Sequence, residues 1–252
     1  MADTHKAASL NMRLVAIRQA HRLAGFTLDA QSPAIREVMK GIRRTKGTAV
    51  TKKAAAEVDV LRDAVVKLRD IPGPRALRDR ALLLVGFAAA LRRSELVALD
   101  LADVAFVPEG MVLTLRRRKT DQAGKGTEVA IPLGRSERTC PVLTLKAWIA
   151  AAGISAGALF LSVNRHGWVS QRRPSAEDVP RAVKAAVAAA DYDPAIYSGH
   201  SLRSGFATSA AKAGVAERHI QDQTGHRSLP VLRGYIRRGN LFTENAAGKV
   251  GL

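Results

Sequence analysis

Residues 110–133 read GMVLTLRRRKTDQAGKGTEVAIPL, and this stretch decides the fold class. Its two ends, GMVLTLRRRKT and TEVAIPL, alternate apolar and polar residues as β-strands do. The DQAGKG between them supplies turn residues, so the stretch predicts a β-hairpin. Most of the remaining chain repeats its apolar residues at helical spacing. The sequence therefore predicts a mainly α fold with a small antiparallel β element, which is an α+β class.

Ten segments have the apolar spacing of helices. They cover 9–24, 31–44, 54–70, 75–90 and 92–99 before the hairpin, and 142–153, 175–190, 201–214, 216–225 and 229–238 after it. The second has Ser32 as its N-cap and Pro33 at its first helical position. In the seventh, Ser175 and Asp178 form a capping box, and Pro180 predicts a late start. A short strand is predicted for ALFLSV at 158–163.

A basic stretch, RRTKGTAVTKK, separates the second helix from the third and predicts a linker. We place a domain boundary near residue 50. Residues 1–50 then form a small N-terminal helical region, and residues 51–252 form a larger domain that ends in the tail 241–252.

The charge of the chain points to a polyanionic partner. Forty Lys and Arg against 22 Asp and Glu give a net charge of +18 over 252 residues. Nucleic acid is the usual partner of such a protein, and a membrane surface or a merely soluble basic surface are the alternatives. No stretch has the pattern of a membrane span. Cys140 is the single cysteine, which fits the reducing cytoplasm.

Several kinds of site are excluded by pattern. No Cys/His cluster has metal-ligand spacing, no Gly-rich loop precedes a helix, and no serine-hydrolase elbow is present. What stands out is one tyrosine, Tyr235, among arginines and close to a histidine. Arginine forks neutralise phosphate oxygens, and a phenol can form a covalent phosphoryl intermediate. This inventory suits phosphodiester chemistry without a metal or a cofactor, with the neighbouring arginines lowering the cost of the developing phenolate.

Four separated segments resemble the tyrosine recombinase (phage integrase) family. ALRRSELVALDLADV resembles its first arginine box, with Arg92 and Glu95, and Lys119 matches the lysine of its β-hairpin. A His-x-x-Arg pair is the third match, and a histidine nine residues before a tyrosine is the fourth. These are His200, Arg203, His226 and Tyr235. Each match alone also has an ordinary structural explanation; the order and spacing together do not. Tyr192 and Tyr197 match nothing in the family pattern and are interpreted as packing residues.

The resemblance implies a site-specific recombinase that cuts and rejoins double-stranded DNA. It implies that Arg92 and Arg203 grip the scissile phosphate and that Tyr235 attacks the phosphorus to leave a 3′-phosphotyrosine. Lys119 would protonate the leaving 5′-oxygen, and His200 would act as general acid/base. His226 would donate a hydrogen bond to the phosphate, with Glu95 supporting the site.

Further expectations follow from the resemblance: a homotetramer on DNA, accessory DNA-bending proteins in some systems, and a tail that packs on a neighbouring subunit. Relatives carry an N-terminal domain of several helices that clamps the duplex. Only two helical patterns precede residue 50, so this region is either reduced or lacks its start. Relatives often have glycine where this chain has Ala90, and we expect the alanine to tighten a helix end.

Two rival functions remain open on the sequence. SGFATSAAKAGVAERHIQDQTG is compatible with a helix-turn-helix with Gly214 in its turn, which would suit a non-catalytic DNA-binding protein. A type IB topoisomerase, which relaxes DNA alone, uses similar residues. The motif spacing favours the recombinase.

Overall fold

The computed structural model describes residues 4–47, 53–116, 126–243 and 245–250. The chain divides into two compact units, Met1–Lys52 and Lys53–Leu252. The first contains α1 (Ala7–Leu23) and α2 (Pro33–Lys46). Ser32 is the N-cap of α2, although its side chain makes no capping hydrogen bond, and Pro33 is the first helical residue.

The second unit holds the other helices and a sheet. Its helices are α3 (Val58–Arg69), α4 (Pro74–Ala88), α5 (Arg93–Ala98), α6 (Pro141–Ala151), α7 (Asp178–Ala189), α8 (Ser201–Lys212), α9 (Glu217–Thr224), α10 (Leu229–Gly239) and α11 (Ala246–Lys249). Its strands are β1 (Val104–Val107), β2 (Gly110–Leu115) and β3 (Thr127–Pro132). The predicted class, mainly α with a small antiparallel β element, is confirmed.

The two strands of the predicted hairpin, β2 and β3, pair antiparallel with Leu113 opposite Val129, whereas the predicted turn residues 121–125 lie outside the described residues. Met111, Leu113, Val129 and Ile131 face the core and are buried, while alternate residues face outward, as the period of two requires. The sheet has one strand more than predicted within the described residues, because β1 pairs with the other edge of β2. The sequence of β1, VAFV, has no alternation of apolar and polar residues, and three of its four residues are exposed, so no strand pattern indicates it.

Helix α4 runs through the middle of the second unit and packs against α3, α6, α7 and α8. It begins at Pro74, directly after Gly73, whose φ of 102° is a left-handed conformation suited to glycine. Its first half carries Arg75, Arg78, Asp79 and Arg80, whereas its second half is apolar, and Ala81, Leu82 and Val85 are at most 1% exposed. Because this second half is buried among the neighbouring helices, the position of the C-terminal end of α4 is fixed.

One local prediction is wrong and another is confirmed. Residues 158–163 do not form the predicted strand; they make only isolated bridges, Asp100 to Ala158 and Val163 to Val169. Their apolar side chains fill the core, which explains the misleading pattern. Helix α7 begins late, at Asp178, whose carboxylate accepts hydrogen bonds from both the backbone N–H and the hydroxyl of Ser175.

The two tyrosines interpreted as packing residues are placed accordingly: Tyr197 is buried, and Tyr192 packs on the same cluster and donates its hydroxyl to Asp63. Within the described part of the chain, no helix is long and apolar enough to cross a membrane.

Candidate active site

The first arginine box lies at the turn between α4 and α5. Arg92 is the N-cap of α5, and its backbone N–H donates to Glu95 Oε2 at 2.9 Å. Its Nη1 donates to Glu95 Oε1 at 2.5 Å. Glu95 is buried, and one carboxylate thus holds both the backbone and the guanidinium of Arg92.

The turn itself is a Schellman motif in which alanine takes the place of glycine. Leu91 N–H bonds to Gly86 O at 3.0 Å, and Ala90 N–H bonds to Phe87 O at 2.9 Å. Ala90 has a φ of 49° and is fully buried. The expectation that alanine tightens the helix end is therefore wrong: α4 stops at Ala88, and Ala90 adopts the left-handed conformation despite its Cβ.

The second predicted arginine reaches the same turn from α8. Arg203 is 5% exposed, and its Nη1 donates to the carbonyl oxygen of Ala90 at 2.7 Å. Helix α8 is fixed against the segment before α3, because Ser201 Oγ donates to Ala54 O at 2.7 Å and Ala56 N–H donates to Ser201 O at 2.9 Å. The two arginine boxes thus share one turn.

His200 precedes α8 as its N-cap residue. Partial burial of its ring lowers the pKa of His200, and the positive charges of Arg93, Arg203 and Arg92 lower it further. The neutral imidazole therefore dominates at neutral pH, as a general acid/base requires. Charges from both arginine boxes thus act on the ring of His200.

His226 lies just past the end of α9. Gly225 is left-handed, with a φ of 60°, and turns the chain back so that His226 Nδ1 lies 2.7 Å from Thr224 Oγ1. Gln221 Nε2 donates to the carbonyl oxygen of His226 at 3.0 Å. Burial, Arg203 and Arg92 lower the pKa of His226 to about 4.

Tyr235 lies on α10, next to His226, with their ring centroids 5.9 Å apart. The tyrosine is half-buried against a small cluster of α8, α9 and α10 residues. These are Ala207, Ala211, Ile220 and Leu232. Arg233, a sequence neighbour of Tyr235, is instead paired with Glu217, Nε to Oε2 at 3.1 Å. The charges that act on the neighbouring His226 come from Arg92 and Arg203, which are distant in sequence.

Sequence reasoning missed two supporting residues of α9. Gln223 Nε2 donates to Ala88 O at 2.8 Å and to Ala130 O at 3.3 Å, which ties α9 to the end of α4 and to β3. Thr224 is fully buried and contacts His226. Both stand in a polar run, QDQT, that only Gly225 separates from His226. Uncharged polar residues two and three positions before a candidate site residue are the signal that could have found them.

The structure brings Arg92, Glu95, His200, Arg203, His226 and Tyr235 into one region of the second unit. Lys119 lies outside the described residues; the strands that flank it, β2 and β3, are described. The described residues contain no group of three His, Cys, Asp or Glu side chains that could hold a metal ion. A cavity of about 520 Å³ lies instead beside Ile71–Pro74, at the opposite end of α4.

Comparison with known proteins identifies the family. The model of the phage integrase family matches residues 55–240. An integrase/recombinase XerD homolog of Selenomonas ruminantium is 36% identical over 99% of this chain and 74% of its own length. The tyrosine recombinase XerD of Xanthomonas campestris pv. campestris is 32% identical over 77% of this chain. That match covers 58% of the relative, so the chain spans little more than half of such relatives.

Solved structures show the same fold. XerH recombinase in a post-cleavage complex with a palindromic difH substrate matches with a TM-score of 0.63 and 17% identity, over 82% of this chain and 56% of XerH. Lambda integrase residues 75–356 bound to DNA match with a TM-score of 0.59 and 18% identity, over 96% of this chain and 79% of that one. With the family model covering most of the second unit, the chain belongs to the phage integrase family of tyrosine recombinases.

Proposed function

We propose that this protein is a site-specific DNA recombinase that cuts and rejoins strands through a phosphotyrosine at Tyr235. One observation carries the proposal: Tyr235 lies beside His226, with ring centroids 5.9 Å apart, and Arg92 and Arg203 are close enough to His226 to lower its pKa. A nucleophile, two guanidinium groups and two histidines are the groups that transfer of a phosphodiester requires.

The two arginines bind the scissile phosphate in this proposal. Each guanidinium is planar, charged and able to bond two oxygens. Glu95 holds Arg92 from one side, and the Ala90 carbonyl holds Arg203, so the cations are oriented before DNA arrives. Such preorganisation stabilises the charge that develops on the non-bridging oxygens.

The chemical step is a transesterification. Tyr235 Oη attacks phosphorus, the bond from phosphorus to the 5′-oxygen breaks, and the phenol proton leaves. The products are a 3′-phosphotyrosine and a free 5′-hydroxyl. Lys119 supplies the proton to the leaving oxygen, His200 handles the tyrosine proton, and His226 donates to the phosphate. Because one phosphoester replaces another, a second strand's 5′-hydroxyl reverses the step.

Exchange between two duplexes needs two cuts on each, and we propose that four copies assemble on DNA. One similar structure is of a lambda integrase tetramer bound to a Holliday junction. The tail after α10 exposes Leu241, Phe242 and Val250, with Phe242 94% exposed. We propose that this tail packs on a neighbouring subunit. Deletion of 241–252 should leave DNA binding by single copies and abolish synapsis, whereas normal synapsis would contradict this role.

We propose that residues 1–50 contact DNA as a small clamp and that residues 51–252 hold the catalytic site. The last turn of α2 carries Arg43, Arg44 and Lys46. Each phosphate contact that is lost lowers the salt dependence of binding by about one unit of slope. The double variant R43Q/R44Q should therefore have a slope lower by about two. An unchanged slope would show that these arginines of α2 do not contact the DNA.

The decisive experiment asks whether the protein becomes covalently attached to DNA. Nicked duplexes from the DNA flanking its gene would be incubated in EDTA with wild type and with Tyr235→Phe. A denaturation-resistant adduct from wild type alone is the expected result. An adduct from both proteins would place the nucleophile elsewhere. DNA binding with no adduct from either would favour the non-catalytic DNA-binding protein.

The topoisomerase hypothesis has its own discriminating assay. A supercoiled plasmid carrying two target sites should yield recombinant products with wild type. Relaxation without exchange, at every protein concentration that saturates the sites, would favour a topoisomerase.

A further inference from the structure

The side chain of Thr224 has a hydrogen-bonding role that the family pattern does not explain. It is fully buried at the last turn of α9, away from water. Its Oγ1 lies 2.6 Å from the carbonyl oxygen of Ile220 and 2.7 Å from His226 Nδ1. A hydroxyl has a single hydrogen, so only one of these two contacts can receive it.

The distances decide which contact receives the hydrogen. Two oxygens 2.6 Å apart repel unless a hydrogen lies between them, and a carbonyl has none to give. The hydroxyl of Thr224 therefore donates to Ile220 and presents its lone pairs to His226. The contact at 2.7 Å then needs a hydrogen on Nδ1.

This assignment fixes the tautomer of His226. A neutral imidazole carries one N–H, and here it is on Nδ1, so Nε2 carries a lone pair. A lone pair cannot donate to a phosphate oxygen. The ring can donate from Nε2 only when it is protonated, and a bound phosphodiester, being negative, favours that state.

We propose that Thr224 is a positioning residue that locks His226 in the Nδ1–H tautomer and thereby makes the contact of His226 with the scissile phosphate depend on uptake of a proton. The part that concerns phosphate rests on the proposed function; the tautomer does not. Among the described residues, the charged or titratable groups facing His226 are Arg203 from α8, Arg92 from the turn before α5, and Tyr235 from α10. Both arginines oppose protonation, and a phosphate held between them offsets their charge.

The tautomer is measured first, on the full chain without DNA. Long-range ¹H–¹⁵N spectra of protein labelled on histidine distinguish protonated from unprotonated ring nitrogens. His226→Gln identifies the His226 signals among the six histidines. At pH 7, wild type should show a protonated-type Nδ1 and an unprotonated-type Nε2. The reverse pattern in wild type would overturn the proposal, whether or not the protein cuts DNA.

Two matched variants separate positioning from packing. Thr224→Val keeps the shape of the side chain and removes the acceptor, so His226 should change to the Nε2–H form. Thr224→Ser keeps the hydroxyl and should keep the wild-type tautomer. An unchanged tautomer in Thr224→Val, with the fold intact by amide spectra, would show that Thr224 does not set it.

The pH profile of adduct formation tests the consequence. In wild type and Thr224→Ser, the adduct rate should fall as the pH rises through the pKa of His226 in the DNA complex. In Thr224→Val this descending limb should flatten, because an Nε2–H tautomer donates without added protons. Superimposable profiles of wild type and Thr224→Val would contradict the proton requirement. A missing adduct in all three proteins would contradict the proposed function and leave the tautomer result standing.

Discussion

Arg203 Nη1 and the carbonyl oxygen of Ala90 are 2.7 Å apart, and this hydrogen bond joins the two arginine boxes across 113 residues of sequence. The carbonyl belongs to a residue with a φ of 49°, so the direction of the bond depends on a left-handed alanine. The backbone of the first box thereby orients the side chain of the second. A substitution at Ala90 should therefore disturb both arginine boxes.

Ala90→Gly should change the free energy of unfolding little. Glycine removes a left-handed strain of about 1–2 kcal/mol. It also loses a buried methyl group, about 0.8 kcal/mol, and gains unfolded-state entropy of about 0.4–1 kcal/mol. The net change should lie within about 1 kcal/mol of zero by urea denaturation.

Ala90→Val provides the contrast at the same position. A β-branched residue fits the left-handed region poorly, and this site is fully buried, so the loss should exceed about 2 kcal/mol. A valine variant as stable as wild type would show that the turn is not constrained as the structure indicates.

The Arg92–Glu95 pair should contribute strongly to stability and to DNA cleavage. The side chains are 18% and 5% exposed, so Glu95→Ala leaves a mostly buried cation without its partner. We expect a loss of about 2–4 kcal/mol, and a smaller loss for Glu95→Gln, which keeps an acceptor for the Arg92 N–H.

The neighbouring pair Arg93–Glu177 is a matched control for that experiment. Its side chains are 42% and 63% exposed, and Glu177→Gln should cost less than about 1 kcal/mol. Adduct formation on nicked DNA should fall in both Glu95 variants. Equal stability losses for the Glu95 and Glu177 variants would contradict the importance of burial here.

Gly205→Ala should be among the most damaging single substitutions in α8. A Cβ at this position would lie 1.9 Å from the carbonyl oxygen of Ala56, which is backbone and cannot move aside alone. We expect a loss of about 3 kcal/mol or more in the free energy of unfolding. Because Ser201 and Arg203 lie on the same helix, DNA cleavage should fall with it.

Gly234→Ala is the control for a glycine in a helix with open space. Apart from its chain neighbours and the backbone of its own helix, no described heavy atom lies within 4 Å of where the new methyl group would stand. Alanine also favours helix by about 1 kcal/mol. This variant should be as stable as wild type or more stable. A loss comparable with that of Gly205→Ala would mean that glycine itself, rather than the contact, determines the result.

The sequence predicted the helices well because their apolar residues keep one period and many of their ends carry Pro or Gly. It missed β1, because VAFV is four apolar residues in a row without alternation, although most of them are exposed. It misjudged 158–163, because a buried apolar run has no period to interpret. The fold class did not depend on either segment.

The site was predictable as a set of residues and not as a set of contacts. Order and spacing selected Arg92, Arg203 and Tyr235, and their roles stay predictions. The links that position them, Arg203 to Ala90 and Gln223 to Ala88 and Ala130, join segments about 90–140 residues apart. No local pattern encodes such links, because they arise from how α4, α8 and α9 pack.

Because the pKa values of His200 and His226 are lowered, we expect the protein to lose stability in mild acid. Burial and nearby arginines lower the pKa of His226 to about 4 and also lower that of His200. The folded state therefore binds fewer protons than the unfolded state, and this contribution to stability, complete above pH 6.5, is lost as the pH falls toward 4. His226 alone gives a slope of up to about 1.4 kcal/mol per pH unit. Urea denaturation across this range should show a smaller slope for His226→Gln, and a wild-type slope for His219→Gln, which replaces an exposed histidine. Parallel curves for wild type and His226→Gln would contradict the burial of this ring among the two arginines.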